Sequence, residues 1–150
     1  MTAQPAPTVD RDSRPWWEAL ARHEFVLQRC ASCATWRWPA RAICNRCGSF
    51  DWSWQPPSGQ ATVASWIVTR HAFLPGFEAP YVVLTARLAE QPDILIPGGY
   101  DGPSDGAVLH IGGPLTVAYH DVTTDDGPWT LLRWRRSDME YTGDPVGGSG

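Results

Sequence analysis

The stretch CASCATWRWPARAICNRC, residues 30–47, holds every cysteine of this 150-residue chain. The cysteines form two Cys-x-x-Cys pairs that are separated by ten residues. A Cys-x-x-Cys turn places two sulfur atoms on one side of a tight loop, and two such loops facing each other make a tetrahedral site. Gly48 follows the second pair and lets backbone N–H groups approach the thiolates. The spacing therefore predicts a metal-binding ribbon. Its candidate ligands are Cys30, Cys33, Cys44 and Cys47.

Zinc is the favoured metal for this ribbon, at one ion per chain, because paired cysteines at this spacing are typical of structural zinc sites. Four thiolates leave no open position for water or substrate, so the predicted role is structural. The ion would replace a hydrophobic core that some thirty residues cannot supply. Iron in the same geometry and a redox-active pair of the thioredoxin kind are the alternatives.

Composition and charge indicate a soluble protein. The net charge is −4, and all twelve basic residues are arginine. Five arginines lie within residues 22–50, whereas residues 90–128 contain seven acids and no arginine. The first 15 residues lack the apolar segment of a signal peptide, and no run is long enough to span a membrane. We therefore expect a cytoplasmic protein without a membrane partner, in which disulfides are disfavoured.

The N-terminal third is predicted to contain a disordered tail, a short helix and the ribbon. Residues 1–12 are polar and contain two prolines, so we expect them to be disordered. Residues 13–55 hold the helix and the ribbon, with Ser13 as the helix cap and Pro15 in the first turn. Such a short helix is unstable alone in water, so its tryptophans must dock on the chain itself or on a partner.

A barrel is predicted after the QPPSGQ break, over residues 58–136, followed by a flexible tail over residues 137–150. The segments are short, rich in β-branched residues and separated by Gly and Pro turns. Five strands, with room for one short helix or turn between the third and fourth, outline an OB-fold. The fold class is thus mostly β. The predicted strands are 61–70, 81–88, 93–100, 114–122 and 129–136.

The sequence offers no predicted catalytic residues. Its histidines are scattered, and no serine lies in a Gly-x-Ser-x-Gly motif. Two kinds of ligand remain. The segment WRWPAR interleaves aromatics and arginines as a groove for single-stranded nucleic acid would, but the acidic barrel half makes nucleic acid the weaker hypothesis. Alternatively, arginines of the ribbon contact the phosphates of coenzyme A while tryptophans face a partner enzyme. The candidate phosphate contacts are Arg37, Arg41 and Arg46.

Six motifs together resemble a known family, and they cover roughly residues 14–136: PWWEAL, LQRCASC, WPARAICNRCGS, SGQATVASW, YVVLTARL and IGGPLTVAY. The chain is similar to the rubredoxin-like zinc-ribbon plus OB-fold proteins of acyl-CoA metabolism. The resemblance implies that the four cysteines bind zinc. Ala34 departs from the rubredoxin pattern, where glycine is commonest, which makes an electron-transfer iron site less plausible.

Members of that family accompany thiolase-fold enzymes as accessory subunits. The resemblance therefore implies a non-catalytic subunit of a hetero-oligomer, with retro-aldol cleavage of a CoA thioester, perhaps steroidal, as the favoured reaction of the complex. Thiolase and acyltransferase complexes are the alternatives, and acyl-CoA itself is a candidate ligand. Trp129 and Trp134 lie five residues apart on one strand, so a regular strand directs at least one of them outward. The candidate partner contacts are Trp16, Trp17, Trp129, Trp134 and Arg135.

Overall fold

One helix and eight strands make up the computed structural model, which describes residues 4–139. The helix and the first three strands precede the break, and the five remaining strands follow it. The elements are α1 Arg14–Ala21, β1 Leu27–Cys30, β2 Trp36–Arg37, β3 Trp52–Gln55, β4 Gln60–Thr69, β5 Tyr81–Leu88, β6 Leu95–Tyr100, β7 Pro114–Thr124 and β8 Gly127–Arg136.

Strands β4 to β8 form a closed barrel in the order β4-β5-β6-β8-β7, with β7 pairing back to β4. All pairs are antiparallel except the short β6–β8 contact. Alternate residues of β5 are buried, as the two-residue period of a strand requires when one face lines a core. The predicted mostly-β class, with a ribbon followed by a five-stranded OB barrel, is confirmed.

The predicted strands differ from the observed ones mainly at their ends. The third begins at Leu95 rather than residue 93, and the segment between it and the fourth forms turns rather than a helix. Strands β7 and β8 continue towards each other until only Asp125 and Asp126 separate them. The two strands pair as one long hairpin. Both therefore extend into residues 123–128, where the turn-rich composition predicted a break between strands.

Trp134 fills the centre of the barrel and is fully buried. Phe25, from the segment after α1, packs edge-on against it at 6.1 Å between ring centroids. Gly98 of β6 is required beneath the indole, because a Cβ there would lie 2.9 Å from Trp134 Cδ1. Trp134 cannot touch a partner from this position, so its prediction as a partner contact is wrong. The strand period predicted that at least one of the two tryptophans faces outward, but not which one.

Part of the segment predicted to be disordered, residues 1–12, contacts the barrel through Gln4 and Ala6. Gln4 bridges to Thr124, and its carbonyl accepts a 3.1 Å hydrogen bond from the backbone N–H of Asp125. Ala6 donates from its N–H to Asp125 Oδ1 at 3.0 Å. The prediction for residues 1–3 lies outside the described residues. The tail predicted from residue 137 likewise begins in contact with the barrel, and its residues 140–150 lie outside the described part.

Helix α1 is entered through a reciprocal pair rather than through a Ser13 cap. Ser13 N–H donates to Asp10 Oδ1 at 2.7 Å, and Asp10 N–H donates to Ser13 Oγ at 3.2 Å. The Ser13 side chain therefore does not cap the helix, since its oxygen is engaged by the preceding turn. Pro15 occupies the first turn of the helix as expected.

The tryptophans of α1 dock on both halves of the chain. Trp16 contacts Trp38 of the ribbon edge-on at 6.4 Å, and Trp17 contacts Trp129 of the barrel edge-on at 5.5 Å. Helix α1 thus bridges ribbon and barrel, which supplies the packing that so short a helix needs.

A polar link joins the end of the helix segment to the barrel. His23 Nε2 lies 3.0 Å from Asp121 Oδ1, and Thr130 Oγ1 donates to the same oxygen at 2.6 Å. The Thr130 hydroxyl, and then His23, lower the pKa of the Asp121 carboxyl. A carboxyl whose pKa falls on folding stabilises the fold above its unfolded pKa, and this contribution disappears as the pH falls through the folded value.

Asp121→Asn is therefore expected to lower the unfolding temperature modestly at pH 7, and the deficit should shrink as the pH falls below about 4. Thermal unfolding of both proteins between pH 7 and pH 3 measures this. Asp126→Asn is the matched control, on the exposed hairpin turn. A deficit that stays constant down to pH 3 would contradict the linkage.

Candidate metal centre and its surroundings

The two Cys-x-x-Cys loops have the same backbone geometry. Ala34 N–H donates to the carbonyl of Cys30 at 3.0 Å, and Gly48 N–H donates to that of Cys44 at 2.9 Å. The N–H groups of both first cysteines donate to the carbonyl five residues later, each at 2.9 Å. Ala34 has φ 60° and Gly48 has φ 75°, so both occupy the left-handed region. The second loop repeats the first with glycine where the first has alanine.

This equivalence predicts opposite effects of two substitutions. Gly48→Ala should cost about 1–2 kcal/mol through backbone strain alone, because nothing lies within 4 Å of the added methyl group. Ala34→Gly should be neutral or stabilising by up to about 1 kcal/mol, since relieved strain outweighs the greater entropy of the unfolded chain. Chemical denaturation of the metal-loaded protein measures both. A clearly destabilised Ala34→Gly variant would show that the methyl group packs.

The four sulfur atoms lie within 4.8 Å of one another. The Cys30 and Cys47 sulfurs are 3.6 Å apart, and the Cys33 and Cys44 sulfurs are 3.7 Å apart. A tetrahedral S4 site with metal–sulfur bonds near 2.3 Å requires sulfur separations of about 3.8 Å. All four cysteines are free rather than disulfide-bonded. The four cysteines that the sequence predicts as ligands therefore lie together, and the distances between their sulfur atoms fit one tetrahedral metal ion.

The pKa values of these thiols are shifted in different directions by their hydrogen bonds and by the neighbouring sulfurs. The Thr35 hydroxyl, 3.1 Å from the Cys33 sulfur, and the Thr35 backbone N–H lower the pKa of Cys33 to about 6. Backbone N–H groups of Cys47 and Arg46 lower the pKa of Cys44. The Ser49 N–H lowers the pKa of Cys47, but the crowded neighbouring sulfurs raise it to about 12. Four thiolates this close need a cation between them.

The predicted phosphate-binding arginines do not share one surface. Arg41 and Arg46 are exposed, whereas Arg37 is only 4% exposed and lies over the ring of Trp52 at 5.6 Å. Arg37 therefore does not lie on the open surface that exposes the other two arginines, and its contact with CoA phosphates stays a prediction. Trp36 is also buried and cannot stack on nucleic-acid bases, whereas Trp38 is half-buried.

The remaining candidate partner contacts differ in exposure. Trp16, Trp17 and Trp129 are half-buried, and Arg135 is exposed. Two features were not predicted from the sequence. One is the environment of Arg37, and the other is the apolar β4–β5 loop, residues 70–80, in which Phe73 is 76% exposed and Leu74 is 54% exposed. A Phe-Leu pair inside a Pro/Gly loop was the available signal for the second.

Two profiles of one family match the chain over most of its length. The ChsH2 rubredoxin-like zinc ribbon domain matches residues 17–53, and the ChsH2 C-terminal OB-fold domain matches residues 54–120. The chain belongs to this family of zinc-ribbon and OB-fold proteins. No helix within residues 4–139 is long and apolar enough to cross a membrane.

Solved structures and curated relatives extend the comparison. A chain of the structure described as the Ltp2-ChsH2(DUF35) aldolase is 33% identical, with a TM-score of 0.77 over 88% of this chain and 99% of that one. A DUF35-family protein of unknown function from Sulfolobus solfataricus has the same fold at 13% identity, with a TM-score of 0.58 over 86% of this chain and 87% of that one.

The curated relatives are longer proteins. A probable enoyl-CoA hydratase alpha subunit of Thermomonospora curvata is 44% identical over 58% of this chain. A 3-oxo-4,17-pregnadiene-20-carboxyl-CoA hydratase alpha subunit of Mycobacterium tuberculosis is 29% identical over 85% of it. The chain spans 27% and 39% of the length of these two relatives, so it matches one part of each.

Proposed function

We propose that this chain is a non-catalytic accessory subunit of a hetero-oligomeric enzyme that acts on acyl-CoA thioesters. A thiolase-fold partner would carry the chemistry, with retro-aldol cleavage of a CoA thioester, including steroid side chains, as the favoured reaction. The observation that carries this proposal is the similarity to a chain of the Ltp2-ChsH2(DUF35) aldolase, which extends over 99% of that chain. Both curated relatives are named as alpha subunits of CoA-ester hydratases, which supports a subunit of an acyl-CoA enzyme but not the particular reaction.

We propose further that the four cysteines hold one structural zinc ion. The sulfur separations and the family profile support this assignment. The ion would neutralise the crowded thiolates and fix the two loops in place of a hydrophobic core. Elemental analysis of the purified protein tests it: about one zinc per chain is expected. An iron–thiolate absorption would instead identify iron.

We infer that the β4–β5 loop is the main docking surface for the partner. Phe73 and Leu74 project from the barrel, and Ile67 at the end of β4 is 64% exposed. Exposed apolar residues grouped on one segment mark interaction sites more often than isolated ones do. Trp17, Trp129 and Arg135 are secondary candidates for this contact, and the exposed Arg41 and Arg46 stay candidates for CoA phosphates.

Co-expression with a thiolase-fold protein encoded beside this chain tests the proposed function. Size-exclusion chromatography should show a stable complex, and the complex should cleave an acyl-CoA thioester that neither protein cleaves alone. Thiolytic or acyl-transfer products from the same complex would favour the alternative reactions. Turnover by the isolated chain, or full activity and solubility of the partner without it, would contradict the proposal.

The docking surface makes a separate prediction. The double variant Phe73→Asp with Leu74→Asp should weaken binding to the partner at least about 30-fold, because central apolar contacts contribute most of the binding energy of an interface. Phe50→Asp is the matched control, since Phe50 is an equally exposed aromatic (71%) on the ribbon. Surface plasmon resonance measures both variants. Equal weakening by the two variants would argue against the loop as the specific surface.

A further inference from the structure

A small aromatic pocket of about 210 Å3 lies between helix α1 and the ribbon. Four tryptophans line it, two from α1, one directly after β2 and one from β3, and Arg37 also lines it. The N-terminal segment closes one side through Thr8. The principal lining residues are Trp16, Trp17, Trp38, Trp54, Pro39 and Arg37.

Arg37 carries a buried charge that nothing in the described chain neutralises. Its side chain is 4% exposed, and none of its three guanidinium nitrogens has a hydrogen-bond acceptor among residues 4–139. It lies over the face of Trp52, with Cζ at 5.6 Å from the ring centroid. A guanidinium stays protonated in proteins, and a buried charge without a partner is strongly unfavourable. The arrangement therefore requires an anion.

Two further buried donors near Arg37 also lack acceptors within the described residues. One is the indole N–H of Trp16, which lines the same pocket. The other is the side-chain amide NH2 of Gln28, the residue paired with Arg37 between β1 and β2. The Gln28 carbonyl oxygen is already occupied by the backbone N–H of Arg41 at 2.8 Å. The orphaned groups are all donors, so the missing group is an acceptor.

We propose that this pocket binds a carboxylate group through Arg37, with the apolar part of the ligand against the indole rings. A guanidinium pairs with a carboxylate through two parallel hydrogen bonds. One monoanion balances the single buried charge, whereas a phosphate dianion would leave an uncompensated negative charge in an apolar site. The volume suits a small acid or one acidic side chain. This inference does not depend on the proposed function.

Access to the guanidinium requires a local movement. Each of its nitrogens exposes less than 1 Å2, so a carboxylate reaches them only when neighbouring side chains of this tryptophan-lined pocket move. Binding is therefore expected to change tryptophan fluorescence. The competing explanation is that Arg37 offsets the negative charge of the cysteine centre, since Gln28 and Cys30 lie on the same face of β1. That explanation predicts loss of metal when Arg37 is replaced.

Fluorescence titration of the whole metal-loaded chain tests the ligand class without any substitution. The probes are 3-phenylpropionate, the neutral 3-phenylpropionamide and phenyl phosphate. The acid should bind at least about tenfold more tightly than either comparison compound, because only it supplies one matched negative charge. Equal binding of the amide, tighter binding of the phosphate, or no response to the acid up to about 10 mM would overturn the proposal.

Three substitutions test whether the acid binds in this pocket. Arg37→Met should weaken binding of 3-phenylpropionate at least about tenfold, keep the metal, and unfold at an equal or higher temperature without ligand. Arg41→Met, at an exposed neighbour, should change none of these. Trp16→Phe keeps an aromatic ring but removes the indole N–H together with the five-membered ring, and should weaken binding of the acid more than binding of the amide. Unchanged acid binding in both pocket variants, or metal loss in Arg37→Met, would overturn the assignment.

A peptide probe distinguishes the two sources of a carboxylate. Acetyl-Ala-Glu-Ala-amide carries its only carboxylate on a side chain, as a neighbouring protein would present it. Tighter binding of 3-phenylpropionate than of the peptide supports a small free acid as the ligand. Tighter binding of the peptide supports an acidic side chain of a partner. If neither probe binds, the site does not recognise carboxylates.

Discussion

Cys44→Ser is expected to release the metal and unfold the ribbon. Cys44 is buried and anchors the second Cys-x-x-Cys loop, whose sulfurs complete the four-thiol site. Structural zinc sites of this type contribute about 10–16 kcal/mol of apparent binding energy, which in so small a module is folding energy. Serine is a poor ligand for the ion, so most of that energy should be lost. Metal analysis together with near-ultraviolet circular dichroism of the ribbon tryptophans measures both effects.

Ser32→Ala provides the control within the same site. Ser32 sits between the first two cysteines, is exposed, and makes one hydrogen bond, to Ser49 Oγ at 3.0 Å. Its loss should leave the metal content unchanged and cost at most about 1 kcal/mol. Substoichiometric metal in the unsubstituted protein, with four titratable thiols in the native state, would contradict the structural role of the ion.

Unfolding of the ribbon should also destabilise the barrel, because the Gln91 side chain of the barrel half is hydrogen-bonded to the ribbon backbone. Gln91 Oε1 accepts a hydrogen bond from Trp36 N–H at 2.9 Å, and Gln91 Nε2 donates to the Trp36 carbonyl at 3.0 Å. Phe25, just before the ribbon, covers Trp134 of the barrel. We therefore expect Cys44→Ser to lower the unfolding temperature of the barrel as well as to disorder the ribbon.

The metal site could be predicted from the sequence because its geometry is local. Within each loop the two cysteines are three positions apart, and the loop conformation follows from those few residues. The barrel strands were predictable for a similar reason, since alternation and turn residues act over short distances. Only the matching of the two loops depends on the rest of the ribbon.

Features that depend on distant parts of the chain could not be predicted in this way. Strand alternation alone predicts only that Arg37 faces away from Trp36 on β2. Helix α1 and the N-terminal segment bury it, and nothing near Arg37 in the sequence indicates this. The bridge from Gln4 to Thr124 spans most of the chain, so a polar composition alone suggested disorder there.

Trp134→Ala is expected to destabilise the barrel by about 3–5 kcal/mol, the usual cost of removing a fully buried large aromatic residue. Trp129→Ala on the same strand is the matched control. Trp129 is half-buried and packs against Trp17 at the edge of the barrel, so its loss should cost about 1–2 kcal/mol, roughly half of the Trp134→Ala effect or less. Urea denaturation followed by circular dichroism measures both variants.

Gly98→Ala tests the same packing from the opposite side. The added methyl group would lie 2.9 Å from Trp134 Cδ1 and 3.1 Å from the Leu132 carbonyl oxygen. The indole is enclosed and the carbonyl belongs to β8, so neither can yield easily, and overpacking should cost about 1–3 kcal/mol. Combining Gly98→Ala with Trp134→Ala should remove most of that cost, because the methyl group then faces the cavity left by the indole. If the losses of unfolding free energy are additive in the double variant, the methyl group does not clash with Trp134, and Gly98 is instead required for its backbone conformation.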